Sequence, residues 1–357
     1  MPTYLRCTNC IDKRSSFNQA VPLICTPTRV HGCRCGLEAQ AHHKGTVVST
    51  KNVLNVKTWD KLNWKAIELF VRKIQRKIYK AVKEERKSEA RRWQRVLLRS
   101  TASKYLAVRR VTQDSRGKRT AGVDGVKQLT PIQRMELARK LQLDRAADRI
   151  RRIHIPKPGK REKRPLGIPT IRDRAKQALA LLVLEPYYEA LFDPNSYGFR
   201  PGRSCHDALQ AIFLSSSHKA KYVLDADIAK CFDSIDHQAL LDKLGLADFP
   251  EMERQVQAWL KAGIMDGDVF FEPERGTPQG GVLSPLLANW ALNGMEMAVL
   301  QFIKTLDLPK VPKPKGSRES KASVIRYADD FGVLHPQREA VEACQTFLSN
   351  WLAKLGL

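Results

Sequence analysis

Two short segments hold the residues with the strongest claim to chemistry. The first, Tyr222-Val-Leu-Asp-Ala-Asp-Ile228, reads as a buried strand. Side chains two apart on a strand share a face, so Asp225 and Asp227 lie together there. Unpaired carboxylates in a buried place are costly, and such a pair calls for a cation. The second, Val324-Ile-Arg-Tyr-Ala-Asp-Asp-Phe-Gly-Val-Leu334, has two apolar arms around a turn that carries Asp329 and Asp330. Either segment alone could be no more than surface or turn aspartates. If the two lie side by side, three carboxylates meet at one spot. That set suits two Mg²⁺ ions roughly 4 Å apart, one activating a hydroxyl and the other stabilising a leaving phosphate group.

Two further stretches could serve such a centre. Gly276-Thr-Pro-Gln-Gly-Gly-Val-Leu-Ser-Pro285 has a backbone able to approach a ligand closely, and Gln279 offers both a donor and an acceptor. A plain turn ahead of a helix from Leu286 to Leu300 is the alternative. From Arg149 to Lys176 there are eleven Lys or Arg among few acids. Ile153, Ile155 and Gly167-Ile-Pro169 mark short strands around the turn Pro156–Gly159, which predicts a basic hairpin standing out from a core.

The elements that must position these groups follow from periodicity. Ile67, Val71, Ile74, Ile78 and Val82, then Ala90, Trp93 and Leu97, recur at helical spacing. Two basic amphipathic helices are predicted between Trp64 and Arg99. Their excess of positive charge leaves two uses open, a solvated surface or an RNA contact. Ala175 to Leu191 is helical by composition, Asn195–Gly202 is a turn-rich loop, and no internal repeat is visible. With 62 Lys and Arg against 37 Asp and Glu, the net charge of +25 points to a polyanionic partner, nucleic acid first. No run of eighteen apolar residues exists, and the N-terminus lacks the layout of a secretion signal; a membrane partner is not expected.

At this point the motifs carry a family resemblance. Tyr327-Ala-Asp-Asp330 resembles the signature hairpin of reverse transcriptases, and Leu224 to Asp236 is similar to the preceding carboxylate strand of group II intron-encoded proteins. Arg164–Thr170, Tyr197–Arg203 and Gly276–Pro285 match the same family in its order, from about Trp59 to the last residue. The resemblance implies catalytic, metal-binding roles for Asp227, Asp329 and Asp330, with Ile228 as a further metal-binding position. It leaves Asp225, Asp233 and Asp236 structural or solvent-facing. It places Phe232 against the sugar of an incoming nucleotide, where a ring would exclude a 2′-hydroxyl, and Gln279 under the nascent base pair. Lys163, Arg164 and Arg172 would take the triphosphate; Phe199, Arg200 and Arg203 would line the RNA template path.

The implied fold is α/β (α+β): a right-hand polymerase with a basic helical N-terminal part over 56–125, then fingers and palm over 126–357 with an antiparallel palm sheet. The implied activity is RNA-directed DNA synthesis with two Mg²⁺, Mn²⁺ being the alternative ion. Its partners would be group II intron RNA, an RNA template with a DNA primer, and dNTPs, with splicing assistance as companion activity. A cytoplasmic or organellar site is expected. The chain stops at Leu357, where that family begins its last palm segment. A missing thumb is therefore expected, lost or supplied by a separately encoded thumb or maturase fragment. Rival readings are a non-catalytic intron RNA-binding protein and an inactive truncated remnant. Residues 1–55 have no family counterpart. Cys7, Cys10, Cys25, His31, Cys33 and Cys35 offer zinc ligands at no standard spacing, and an upstream extension or organellar leader is the preferred reading.

Overall fold

The computed structural model describes residues 58–156, 159, 161, 163–217, 220–277, 279–308 and 322–357. The zinc and leader expectations for residues 1–55 lie outside the described residues. Helices come first: α1 (Trp64–Lys83), α2 (Lys87–Arg99), α3 (Thr101–Arg109, running into a π turn at Arg110–Asp114) and α4 (Pro131–Lys140). The predicted period of α1 is the buried one, Ile67, Val71, Ile74 and Ile78. In α2 it drifts: Ala90, Arg91, Gln94, Leu97 and Leu98 are buried. Trp93 instead sits half-buried at the rim, with the Lys77 ammonium 3.8 Å from its ring centroid.

A strand hairpin follows, β1 (Ile150–Pro156) and β2 (Lys163–Ile168), antiparallel as its Pro- and Gly-rich turn requires. The long helix α5 (Ile171–Glu189) then passes through the middle of the helical layer, packed on α1, α2 and α3 and buried on nearly every side. That is why its composition reads as helix without an amphipathic stripe. Helix α6 (Cys205–Ser216) leads to β3 (Tyr222–Asp227), the single turn α7 (Cys231–Ser234), α8 (His237–Leu244) and α9 (Pro250–Leu260). The short strands β4 (Ile264–Asp266) and β5 (Val269–Phe271) extend the first hairpin into a mixed sheet of order β2-β1-β4-β5, with β1 and β4 parallel.

Past this sheet the chain forms α10 (Ser284–Ala291), α11 (Met295–Thr305), β6 (Ser323–Tyr327), β7 (Asp330–His335) and α12 (Arg338–Ala353). One continuous helix was expected over Leu286–Leu300. It is broken because Gly294 takes a left-handed conformation at φ +86°, which glycine adopts without a side-chain penalty. The second sheet, ordered β3-β7-β6, is wholly antiparallel, as expected of the palm, and α12 packs against its β3 and β7. The main core joins both halves, from Trp59 and Tyr105 through α5 to Leu348 and Leu352.

Candidate active site

The three carboxylates converge. In the β3–β7 ladder Asp227 lies directly opposite Asp330, and β6 and β7 are joined by the turn that carries Asp329. The Ile228 N–H donates to the Asp329 carbonyl oxygen at 3.3 Å and ties the end of β3 to that turn. Strand β3 is not buried on both faces as expected. Leu224 and Ala226 point into the core while Asp225 and Asp227 face solvent, the alternation of a sheet with one wet side. The Ile228 side chain is buried, so only its backbone oxygen, which accepts from the Cys231 N–H at 3.3 Å, remains on offer.

The electrostatics record the crowding. Burial, and after it the neighbouring Asp227, raises the Asp329 carboxyl above its usual range, while Arg164 of β2 opposes the rise. Asp330 is raised by burial and then by Asp227, Asp329 and Asp225. Like charges held this close resist joint ionisation unless a cation joins them. Among the described residues, no group of three His, Cys, Asp or Glu forms a ready-made metal cage. The outer partners are settled otherwise: Asp236 caps α8 by accepting from the Ala239 N–H at 2.8 Å, and Asp233 is exposed, with the positive charge of Arg152 acting on it.

The loops around the carboxylates are packed tightly enough to exclude side chains. A Cβ on Gly198 would lie 2.4 Å from the Ala328 nitrogen, so the Asn195–Gly202 loop rests directly on the aspartate turn. Phe199, at φ +57° and 58% exposed, meets Phe232 edge-on with centroids 6.2 Å apart. These two rings, with Cys231, Ala288, Asn289, Ala328 and Asp329, close around a space beside the carboxylates too small to hold a water molecule. The backbone carbonyl of Gln279 accepts from the Gly167 N–H of β2 at 2.6 Å, which seats its loop against the basic hairpin. A Cβ on Gly280 would be 2.5 Å from the Gly167 oxygen, and on Gly276 2.7 Å from the Asp233 backbone, so both contacts depend on glycine.

Two expected ligand-binding arginines are otherwise engaged. Arg200 is buried: Nε and Nη2 fork onto the Glu189 carboxylate at 3.0 and 2.6 Å, and Nη1 donates to the Asp193 and Ser196 carbonyls. It therefore braces its loop and has no free face for a template phosphate. Arg172 pairs with Asp144, on the wall of a cavity between α4 and α5. Lys163 and Arg164 remain exposed on β2, and Arg203 stays partly open, donating to the Pro194 carbonyl at 2.6 Å.

The sequence reading gave no part to Arg326 or Asn289, both buried beneath the turn and hydrogen-bonded to each other at 2.9 Å. The one available signal was an arginine in an otherwise apolar strand arm, three residues before Asp329.

Comparison with known proteins accounts for this arrangement. A family model described as "Reverse transcriptase (RNA-dependent DNA polymerase)" matches residues 155–357, and one described as "N-terminal domain of reverse transcriptase" matches residues 59–141. The chain belongs to the reverse transcriptase family. "Group II intron-encoded protein LtrA" of Lactococcus lactis subsp. cremoris is 40% identical over 159 residues, 44% of this chain and 26% of that protein. "Protein YkfC" of Escherichia coli K12 is 37% identical over 219 residues, 57% of this chain and 56% of that protein. "Maturase-like protein 1" of Euglena gracilis is 27% identical over 282 residues, 72% of this chain and 58% of that protein. The chain thus spans between 26% and 58% of the length of these relatives. Among the described residues no helix is long and apolar enough to cross a membrane.

Proposed function

We propose that this chain copies group II intron RNA into DNA by two-metal-ion nucleotidyl transfer, and that it also binds the intron RNA in support of splicing. The observation that carries this reading is the meeting of Asp227, Asp329 and Asp330 at one end of the antiparallel sheet. Their mutual crowding fits a site for divalent cations, Mg²⁺ or Mn²⁺, held by these three carboxylates and the Ile228 backbone oxygen. When bound, such ions supply an activated primer 3′-hydroxyl and charge neutralisation for the departing pyrophosphate.

The chain's own residues do the rest. Lys163 and Arg164 stand on the hairpin that faces the carboxylates and are free to take triphosphate oxygens, where a guanidinium can bind two at once. Phe232, beside the carboxylates, bounds the sugar side of the site, and Phe199, largely exposed, offers a ring on which a template base can stack. The Gln279 loop, seated against β2, supports the nascent pair. The exposed cations of α1 and α2, among them Arg72, Lys73, Arg76 and Lys80, give RNA a phosphate-binding surface. Assignment of 56–125 as the basic N-terminal region and 126–357 as fingers and palm belongs to the same proposal.

Single-nucleotide addition to a short DNA primer on an RNA template tests the reading. Asp227→Ala or Asp329→Ala should abolish metal-dependent addition, with RNA affinity equal or slightly higher because a negative charge has gone. Asp225→Ala, on the same strand face, should retain activity. Undiminished addition by both Asp227→Ala and Asp329→Ala would end the two-metal proposal.

A further inference from the structure

Beneath the site lies a buried relay joining the loop of Phe199 to the turn of Asp329. Arg326, 3% exposed, donates from Nη1 to the Asn289 Oδ1 at 2.9 Å and to the Ala328 carbonyl at 3.0 Å. Asn289, 2% exposed, donates from Nδ2 to the Gly198 carbonyl at 2.7 Å. The backbone reinforces this link: the Arg326 N–H donates to the Asn195 carbonyl at 2.9 Å, and the Tyr197 N–H to the Arg326 carbonyl at 2.8 Å. Ala328 sits at φ +59°, a strained conformation for a residue with a Cβ, so its turn needs outside support.

An arginine sealed from water is costly, and its burial pulls the guanidinium down to about 10. A chain that needed only packing here would do better with an apolar residue. The amide of Asn289 is used at both ends, its oxygen by the carboxylate turn's arginine and its nitrogen by the Phe199 loop. Phe199 is mostly exposed, and its ring meets Phe232 edge-on. Its position is therefore set by its backbone, and that backbone is set by Gly198.

We propose that Asn289 and Arg326 are positioning residues that fix the separation of the Phe199 loop from the Asp329 turn, and thereby hold the Phe199 ring against Phe232, the ring that bounds the sugar side of the site. The inference rests on the polymerase reading and deepens it: discrimination between dNTP and rNTP belongs to a relay behind the rings as well as to Phe232. Telling a hydroxyl from a hydrogen requires walls held to within about 0.5 Å, which side chains on an unbraced loop do not achieve.

Asn289→Asp is the informative change. It keeps the shape and the Arg326 partner but replaces the donor aimed at Gly198 with a repelling oxygen. In the full chain the rNTP-to-dNTP ratio of kcat/KM for single-nucleotide addition should rise about tenfold, chiefly through a lower KM for rNTP. The melting midpoint should stay near that of the unaltered protein, because the new carboxylate pairs with Arg326. Arg326→Lys, unable to reach Asn289 and Ala328 together, should shift the ratio the same way. Amide exchange gives a readout independent of activity: both variants should quicken exchange at 196–200 and 328–330 together. An unchanged ratio in an active Asn289→Asp protein, or quickened exchange in one segment alone, would overturn the relay. No addition by the unaltered chain would instead count against the polymerase reading, with the exchange result still deciding whether the two segments are coupled.

Discussion

The two sheets of this protein solve different problems. The β3-β7-β6 sheet is antiparallel, backed by α12, and presents Asp227 and Asp330 in register from a face whose reverse is Leu224, Phe331 and Val333. The β2-β1-β4-β5 sheet is mixed and open at its far edge. There Val269, Phe270 and Phe271 are exposed, with Arg149 4.8 Å from the Phe270 ring centroid and Arg152 5.8 Å from that of Phe271. On the proposed reading these carboxylates share cations, which requires fixed separations, and a sheet with a packed back provides them. Cations that follow a flexible polyanion need reach more than rigidity. The same contrast separates two arginines expected to do one job: Arg200 is locked against Glu189 and Arg203 is half free.

Breaking the locked side should show the largest effect. Arg200→Ala leaves the Glu189 carboxylate and two backbone carbonyls without their donor, and removing one partner of a buried pair costs about 3–5 kcal/mol. A fall of several degrees in the melting midpoint is expected, with the salt dependence of RNA binding in the folded protein unchanged. A shallower salt dependence with unaltered stability would restore Arg200 to the template path.

A smaller effect separates cations on the open side. Arg164→Ala should raise the KM for dNTP about tenfold, the loss of one charge-assisted contact. Arg172→Ala should change it less than about twofold, because that guanidinium is paired with Asp144. Steady-state kinetics of the two variants side by side would reveal the reverse order if the hairpin assignment were mistaken.

The smallest effect tests how tightly the packed half seals a charge. Lys243 donates to the Ala291 and Asn293 carbonyls at the end of α10, and burial lowers its ammonium from 10.5 to about 8. Below pH 8 the folded and unfolded chains both carry the proton. Between about 8 and 10.5 the unfolded chain alone holds it, so this residue makes stability rise with pH across that window. In Lys243→Met the rise should flatten. Melting curves of both proteins at pH 7 and pH 10 measure the difference, and identical pH dependence would show that Lys243 is not sealed.

The carboxylate site was legible because its information is local. Asp227 and the Asp329–Asp330 turn each sit within a few residues of the apolar pattern that makes their strand, so each strand is readable locally, while the pairing of the two is conditional in the sequence and is supplied by the fold. The α1 period and the β1–β2 hairpin were legible for the same reason. Arg200 was misread because a guanidinium beside an aromatic in a glycine-rich loop looks the same whether it meets a phosphate or a buried glutamate. Its partner Glu189 lies on another element, at the end of α5.

The sequence by itself determined which residues carry charge, the order of the elements, and that Asp225 and Asp227 share one strand face; the register that sets Asp227 opposite Asp330 came from the fold. The shared face follows from the alternation of side chains along a strand, a property of neighbours along the chain. Only the tertiary structure decided which cations are free and which are spent inside the fold. It alone brought Gly198 against Ala328, and it set Asn289 between the loop and the turn. Hydrogen-bond satisfaction of a buried group depends on what lies within about 3 Å in space, and no spacing along the chain encodes that.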